Sequence, residues 1–177
     1  MRKFSAFNEQ EEIDRRRMLA FLEEGVTPFH RANETAHFTA SGWIVNPART
    51  KVLMVYHNIY RSWSWVGGHA DGEEDLLAVA LKEAREETGV EHIRPVSEEP
   101  FSLEILTVNG HEKRGEYVSS HLHYNVTYLL EAEESDVLRV KPDENSGVAW
   151  FTPEEALAAS TEPWMVERVY RKLMEKL

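Results

Sequence analysis

The chain has 177 residues, 42% of them hydrophobic and 29% charged, which suits one folded domain with a sizeable core. A formal net charge of −11 excludes a general nucleic-acid-binding surface, because phosphate backbones are met by Lys and Arg. With no Cys there is no disulfide framework, no thiolate zinc site and no cysteine nucleophile.

The opening segment lacks the apolar core of a signal peptide, and no apolar run approaches membrane-spanning length. A soluble, cytoplasmic protein is expected, with no nucleic-acid polymer and no membrane as partner, although an acidic chain can still bind a phosphorylated small molecule if metal ions bridge the two. Asn8 with Glu11 forms a capping-box pattern. Ile13, Met18, Phe21 and Leu22 then predict a partly amphipathic helix stopping at Gly25, an extension packed on the core. Two strand-like runs follow, from His37 and from Lys51, joined by a turn at Pro47-Ala48-Arg49. WSWVGGHADGEED is a Gly-rich loop, after which Leu77, Ala80, Leu81 and Ala84 form the apolar side of a helix that Gly89 stops. Weaker strands are predicted at Ile93 to Val96 and Phe101 to Val108, then a polar loop, NGHEKRGEY. The longest strand starts near Ser119, with His121, His123, Asn125 and Thr127 alternating against Leu122, Tyr124, Val126 and Tyr128. KPDENSG is turn chemistry and VAWF a short buried strand. Thr152-Pro153-Glu154-Glu155 starts one helix, and Pro163 opens a last one through Val169 and Leu173.

Glu83, Glu86 and Glu87 fall at i, i+3 and i+4 on one helical face. Like charges at that spacing cost helix stability without a counterion, and a solvated surface face explains three glutamates taken alone. Clustered hard oxygens are also what Mg²⁺ or Mn²⁺ requires. Gly68, Glu74, Lys82-Glu83-Ala84, Glu86-Glu87 and Gly89-Val90 together resemble the Nudix box, Gly-x5-Glu-x7-Arg-Glu-U-x-Glu-Glu-x-Gly-U, with U aliphatic. Lys82 stands where the family has Arg, and Ala84 is a small occupant of an aliphatic slot.

The resemblance implies an α+β fold, an α/β/α sandwich around a mixed sheet, with residues 37–160 as core. Residues 1–30 would be an N-terminal helical extension and 161–177 a C-terminal helix of the single domain. It also implies metal-dependent hydrolysis of a diphosphate in a nucleoside diphosphate derivative, with Mg²⁺ or Mn²⁺ as cofactor, by a monomer or homodimer. Glu83, Glu86 and Glu87 match the metal-binding glutamates, and the Gly67 carbonyl matches a backbone ligand. Glu74 and Lys82 match a loop–helix brace. Lysine lacks the planar fork of arginine, so that brace should be weaker, and Arg85 is placed to share its role. Glu144, six residues before Trp150, is the candidate for an extra carboxylate acting as ligand or base. Glu112, Glu116, His121 and His123 are its rivals.

His69, His121, His123 and Trp63 are candidate substrate contacts. The two strand histidines suit a cleft lining better than metal ligation. Trp63 and Trp65, with Tyr56 and Tyr60, could stack on a base, though such a run is often core. Val66 replaces a proline common before Gly-Gly in the family. A Nudix-fold diphosphate isomerase is disfavoured by the missing Cys. A non-catalytic Nudix module is disfavoured by the complete set of glutamates. EILTVNG lacks the Pro or Tyr markers of particular substrate subfamilies, and no coenzyme-A motif is found, so the substrate stays open.

Overall fold

The computed structural model describes every residue except Gly25, Val26 and Arg114, and of Lys113 the backbone alone. Helix α1 spans Glu9–Glu23, and Asn8 accepts the Glu11 amide at its start. The predicted stop at Gly25 lies outside the described residues. Met18 is fully buried, and the Phe21 ring meets Tyr124 edge-on at 4.6 Å. Ile13, by contrast, is 42% exposed, so it does not belong to the packed side.

The strands are β1 (Ala36–Val45), β2 (Val52–His57), β3 (Ser62–Ser64), β4 (Val66–His69), β5 (Ile93–Pro95), β6 (Ser102–Val108), β7 (His111–Lys113), β8 (Glu116–Val118), β9 (His121–Ala132) and β10 (Asn145–Phe151). Eight of them form one mixed sheet with the path β10-β2-β1-β9-β5, β3 pairing β2, β4 pairing β1 and β6 pairing β9. Among the described residues only β1 and β9 run parallel, a central pair whose neighbours are antiparallel. Every residue of β1 is buried, as expected of a strand covered on both faces. The segment NGHEKRGEY, expected as a loop, contains β7 and all but the last residue of β8, which pair antiparallel. VAWF, expected as a short buried strand, is the end of the longer and only partly buried β10.

Helix α2 (Leu76–Thr88) lies on the face carrying Phe38, Ala40 and Ile44, burying Val79, Ala80 and Ala84 there. Trp43 and Val45 project to the other face. There they meet Ala156 of α3 (Pro153–Ala159) and Val169, Tyr170 and Leu173 of the last helical run. That run, expected from Pro163, comprises α4 (Pro163–Met165), a π-helical turn (Val166–Tyr170) and α5 (Arg171–Glu175). Two helical layers around a mixed sheet make the α/β/α sandwich. The expected Thr152 capping box is formed reciprocally with Glu155.

Strand β6 would present open amides on the side away from β9. The carboxylates of α1 cover them: Leu103 N–H donates to Glu11 and Ile105 N–H to Asp14, each at 3.2 Å. An edge so covered cannot template pairing with another chain.

Candidate active site

Helix α2 is held at both ends by side chains suited to it. Asp75 accepts the Ala78 amide at 3.1 Å, and Gly89 closes the helix at φ 76°, a left-handed conformation that glycine adopts without a Cβ penalty. The helix turns Glu83 and Glu87 inward against β4, leaving Glu86 40% exposed. Gly68 makes that approach possible, because a Cβ there would lie 2.6 Å from the Glu83 carboxyl carbon. The Gly67 amide donates to Glu87 at 3.0 Å, so the Gly-Gly backbone and the helix are joined through the carboxylate.

Burial sets the electrostatics. It pushes the Glu87 carboxyl up to about 8, opposed by the hydrogen bond from the Gly67 amide and helped by the like charges of Glu83 and Glu144. Burial also raises Glu83, against the pull of Lys82 and Lys141. Glu86 shifts the other way, lowered chiefly by its hydrogen bond from Lys141.

Glu144 comes from the far side of the sequence. Oxygens of Glu83, Glu87 and Glu144 all lie within 4.8 Å of one another. Asn145 makes the loop reach. Fully buried, it donates to the Glu87 carbonyl at 2.9 Å and accepts the Lys141 amide at 3.2 Å, tying residues 141–145 to the end of α2. Lys141 therefore stands among the carboxylates, 3.0 Å from Glu86, 3.1 Å from Glu144 and 4.0 Å from Glu83.

These groups occupy one end of a cleft of about 1050 Å³. Its floor carries Thr39 and Ser41 of β1, both donating to the Asn125 side-chain oxygen Oδ1 at 2.9 Å. Tyr60, Trp65 and Trp164 supply aromatic walls, with Tyr60 and Trp164 about half exposed.

A family model for the NUDIX domain matches residues 35–176. The chain belongs to the NUDIX family. Relatives in that family are named hydrolases. A curated human relative, the m7GpppN-mRNA hydrolase NUDT17, is 30% identical over 118 residues, 63% of this chain and 34% of the relative. The chain thus matches about a third of that protein's length. Among solved structures, a C. elegans Ap4A hydrolase aligns with a TM-score of 0.53 at 18% identity, over 78% of this chain and 93% of the other. The E. coli dihydroneopterin triphosphate pyrophosphohydrolase aligns at 0.55 and 15% identity, over 79% and 96%. Both likenesses are of fold.

Within this NUDIX site several expectations change. Lys82 turns to its own helix, 3.5 Å from Glu83 and 3.8 Å from Glu86. Glu74 is exposed, and among the described residues no ion pair links it to Lys82. The cause is local: an ammonium on α2 is drawn to the larger negative charge one turn away. Arg85 is exposed on the helix and takes over no brace. Trp63 does not line the cleft. Its ring packs edge-on against Tyr56 and Phe151, and Trp65 is the neighbour that faces the cleft. Of the rivals to Glu144, Glu112 lines the cleft and Glu116 is exposed on β8.

His69 and His123 line the cleft, while His121 stands beside His123, their Nε2 atoms 3.1 Å apart. His37 of β1, unremarked in the sequence, joins them, its ring 5.0 Å from both His121 and His123 and 5.1 Å from His69. Burial and the neighbouring imidazoles push His123 down to about 2, and burial also lowers His37. Lys141, Asn145 and Trp164 were missed as well. Each depends on chain segments far from the box meeting it in space, and only the KPDENSG spacing hinted at the first two.

Proposed function

We propose that this chain is a divalent-metal-dependent hydrolase cleaving a diphosphate bond in a nucleoside diphosphate derivative. The observation that carries the reading is the convergence of Glu83, Glu87 and Glu144 at the end of a cleft whose other walls are aromatic. Carboxylates this close repel, and desolvation makes their charge costlier still. Oxygen donors without thiols are the set that suits Mg²⁺ or Mn²⁺. Glu83, Glu86 and Glu87, with the Gly67 carbonyl, would hold the ion. Bound there, it supplies charge neutralisation for the diphosphate and acidity for a coordinated water.

The chain's own groups do the rest. Glu144, 41% exposed on a loop, accepts the proton of the attacking water. Lys141 and Lys82 offset charge on the phosphates as the carboxylates turn to the cation. Thr39, Ser41 and Asn125 offer hydrogen bonds along the floor, and Tyr60 and Trp164 stack on a base. A volume of about 1050 Å³ suits a nucleotide-sized ligand. The net charge of −11 opposes the approach of a polymer, so a cap-like dinucleotide rather than a long RNA is the form of the human relative's substrate to try.

The test is a panel of nucleotide sugars, dinucleoside polyphosphates, nucleoside triphosphates and a cap dinucleotide, each with Mg²⁺ or Mn²⁺. Product masses identify the phosphorus attacked. Turnover of at least one member, abolished by chelator, is expected. Binding of nucleotide without turnover under every metal condition would instead indicate a ligand-sensing module.

A further inference from the structure

We propose that His37, His69, His121 and His123 form a second metal site, for a borderline-soft divalent ion such as Zn²⁺, separate from the glutamate cluster. It stands independently of the hydrolase reading above.

Strand register builds the site. In the parallel β1–β9 pair His37 lies opposite His123, and His121 projects to the same face two residues earlier. Antiparallel β4 sets His69 opposite Thr39, the next residue of β1 on that face. One nitrogen from each of the four rings lies within 4.8 Å of the others. Zn–N bonds of about 2.0–2.1 Å place tetrahedral nitrogens roughly 3.3 Å apart. The His121 and His123 Nε2 atoms are hydrogen-bonded at 3.1 Å, with His123 the donor because His121 Nδ1 donates to Ser119. On ligation the His123 proton moves to its Nδ1 and the cation takes its place.

The outward hydrogen bonds fix the rings for ligation. His37 Nδ1 is 3.0 Å from the Asn33 carbonyl, and His121 Nδ1 is 2.8 Å from the Ser119 carbonyl. A carbonyl only accepts, so each Nδ1 carries the hydrogen, and in the neutral ring the Nε2 lone pair points into the cluster. Backbone carbonyls orient metal-bound histidines in this way. The His37 side chain is buried to 3% exposure, and its Nε2 has no hydrogen-bond partner among the described residues. A buried acceptor left bare costs free energy, and a shared cation would satisfy it.

Donor chemistry separates the two sites. Imidazole favours Zn²⁺, Co²⁺, Ni²⁺ or Cu²⁺, whereas carboxylates with water suit Mg²⁺ and Mn²⁺. Four protein ligands describe a closed, structural centre, here tying β1, β4 and β9 together beside the cleft.

Co²⁺ is the probe, titrated into the chelator-treated 177-residue chain in excess Mg²⁺ and read by visible absorption, with Zn²⁺ as competitor. The expected result is one equivalent of four-coordinate Co²⁺, displaced by Zn²⁺ and not by Mg²⁺, with a rise in Tm. Glu83→Gln and Glu87→Gln should keep that spectrum, and His37→Ala and His123→Ala should lose it. His121→Asn, at a half-buried strand end, should lower Co²⁺ affinity at least tenfold with near-UV circular dichroism unchanged, which covers the case where a core variant fails to fold. No Co²⁺ uptake by the wild type overturns the proposal. So does a spectrum that survives folded histidine variants or vanishes with the glutamates.

Discussion

Glu87 carries opposing demands: it is 3% exposed, yet it must be ionised to hold a cation. With its folded-state value raised to about 8 from an ordinary 4.5, the metal-free fold keeps a proton that the unfolded chain releases. This group therefore stabilises the fold fully below about pH 4.5, and that contribution is lost as pH rises through 8. In chelator, Glu87→Gln should remove this part of the pH dependence, so its Tm gains on wild type between pH 5 and 8. Turnover in saturating Mg²⁺ should fall by orders of magnitude. Parallel Tm profiles for the two proteins would contradict the assignment of the charge strain to Glu87. Lys141 is the complementary case, an ammonium standing among three carboxylates. Lys141→Met should cost on the order of 1–2 kcal/mol without metal and tighten Mg²⁺ binding. Calorimetric titration decides it, and weaker Mg²⁺ binding by the variant would mean that Lys141 supports the ion rather than competing with it. The box glutamates were legible because helical spacing alone brings them together. The Lys82 brace was misread because a pattern position specifies a residue type but not the charge that its long, flexible side chain selects.

Elements were legible where periodicity is local. The box helix, the long ninth strand and the Thr152 cap follow from spacing and capping chemistry that need no tertiary partner. The β7–β8 hairpin was hidden because its strands are three residues each and its composition is that of a loop. Register was hidden too: nothing in the sequence sets His37 opposite His123, since parallel pairing joins strands far apart in the chain. The 141–145 loop is the element on which the site depends most. Asn145→Ala removes the loop's tie to α2 at the Glu87 carbonyl and its internal bond from Lys141, and should free Glu144 from the cluster. Turnover is expected to fall at least tenfold, and the acidic limb of its pH profile to change, with Tm lowered by only a few degrees. Full activity in that variant would remove Glu144 from the reaction.

At the scale of the molecule, a buried ionic network joins the terminal helices across the sheet. Lys172, 4% exposed, donates to Glu104 at 2.8 Å and lies 3.4 Å from Glu11, which also accepts from Lys176 at 2.9 Å. Glu104 in turn accepts from Thr127 at 2.7 Å and Asn125 at 3.1 Å, and Asn125 orders the cleft floor. Lys172→Met leaves the buried Glu104 without its cation, while Glu11 keeps Lys176, and should cost about 3 kcal/mol in urea unfolding. A cost below about 1 kcal/mol would show the network to be incidental. The same helical run carries Trp164 to the cleft, so segments outside the box complete both fold and site. The central claim is that the glutamate cluster performs cation-dependent diphosphate hydrolysis. It is tested most directly by following nucleotide cleavage in isotopically labelled water, by wild type and Glu144→Gln, across pH at saturating Mg²⁺. The expected result is label in a phosphate product, turnover that requires Mg²⁺, and a large loss of turnover in the variant along with its acidic limb. Cleavage that persists in chelator, or a Glu144→Gln profile superimposable on wild type while His123→Ala abolishes the acidic limb, would contradict it.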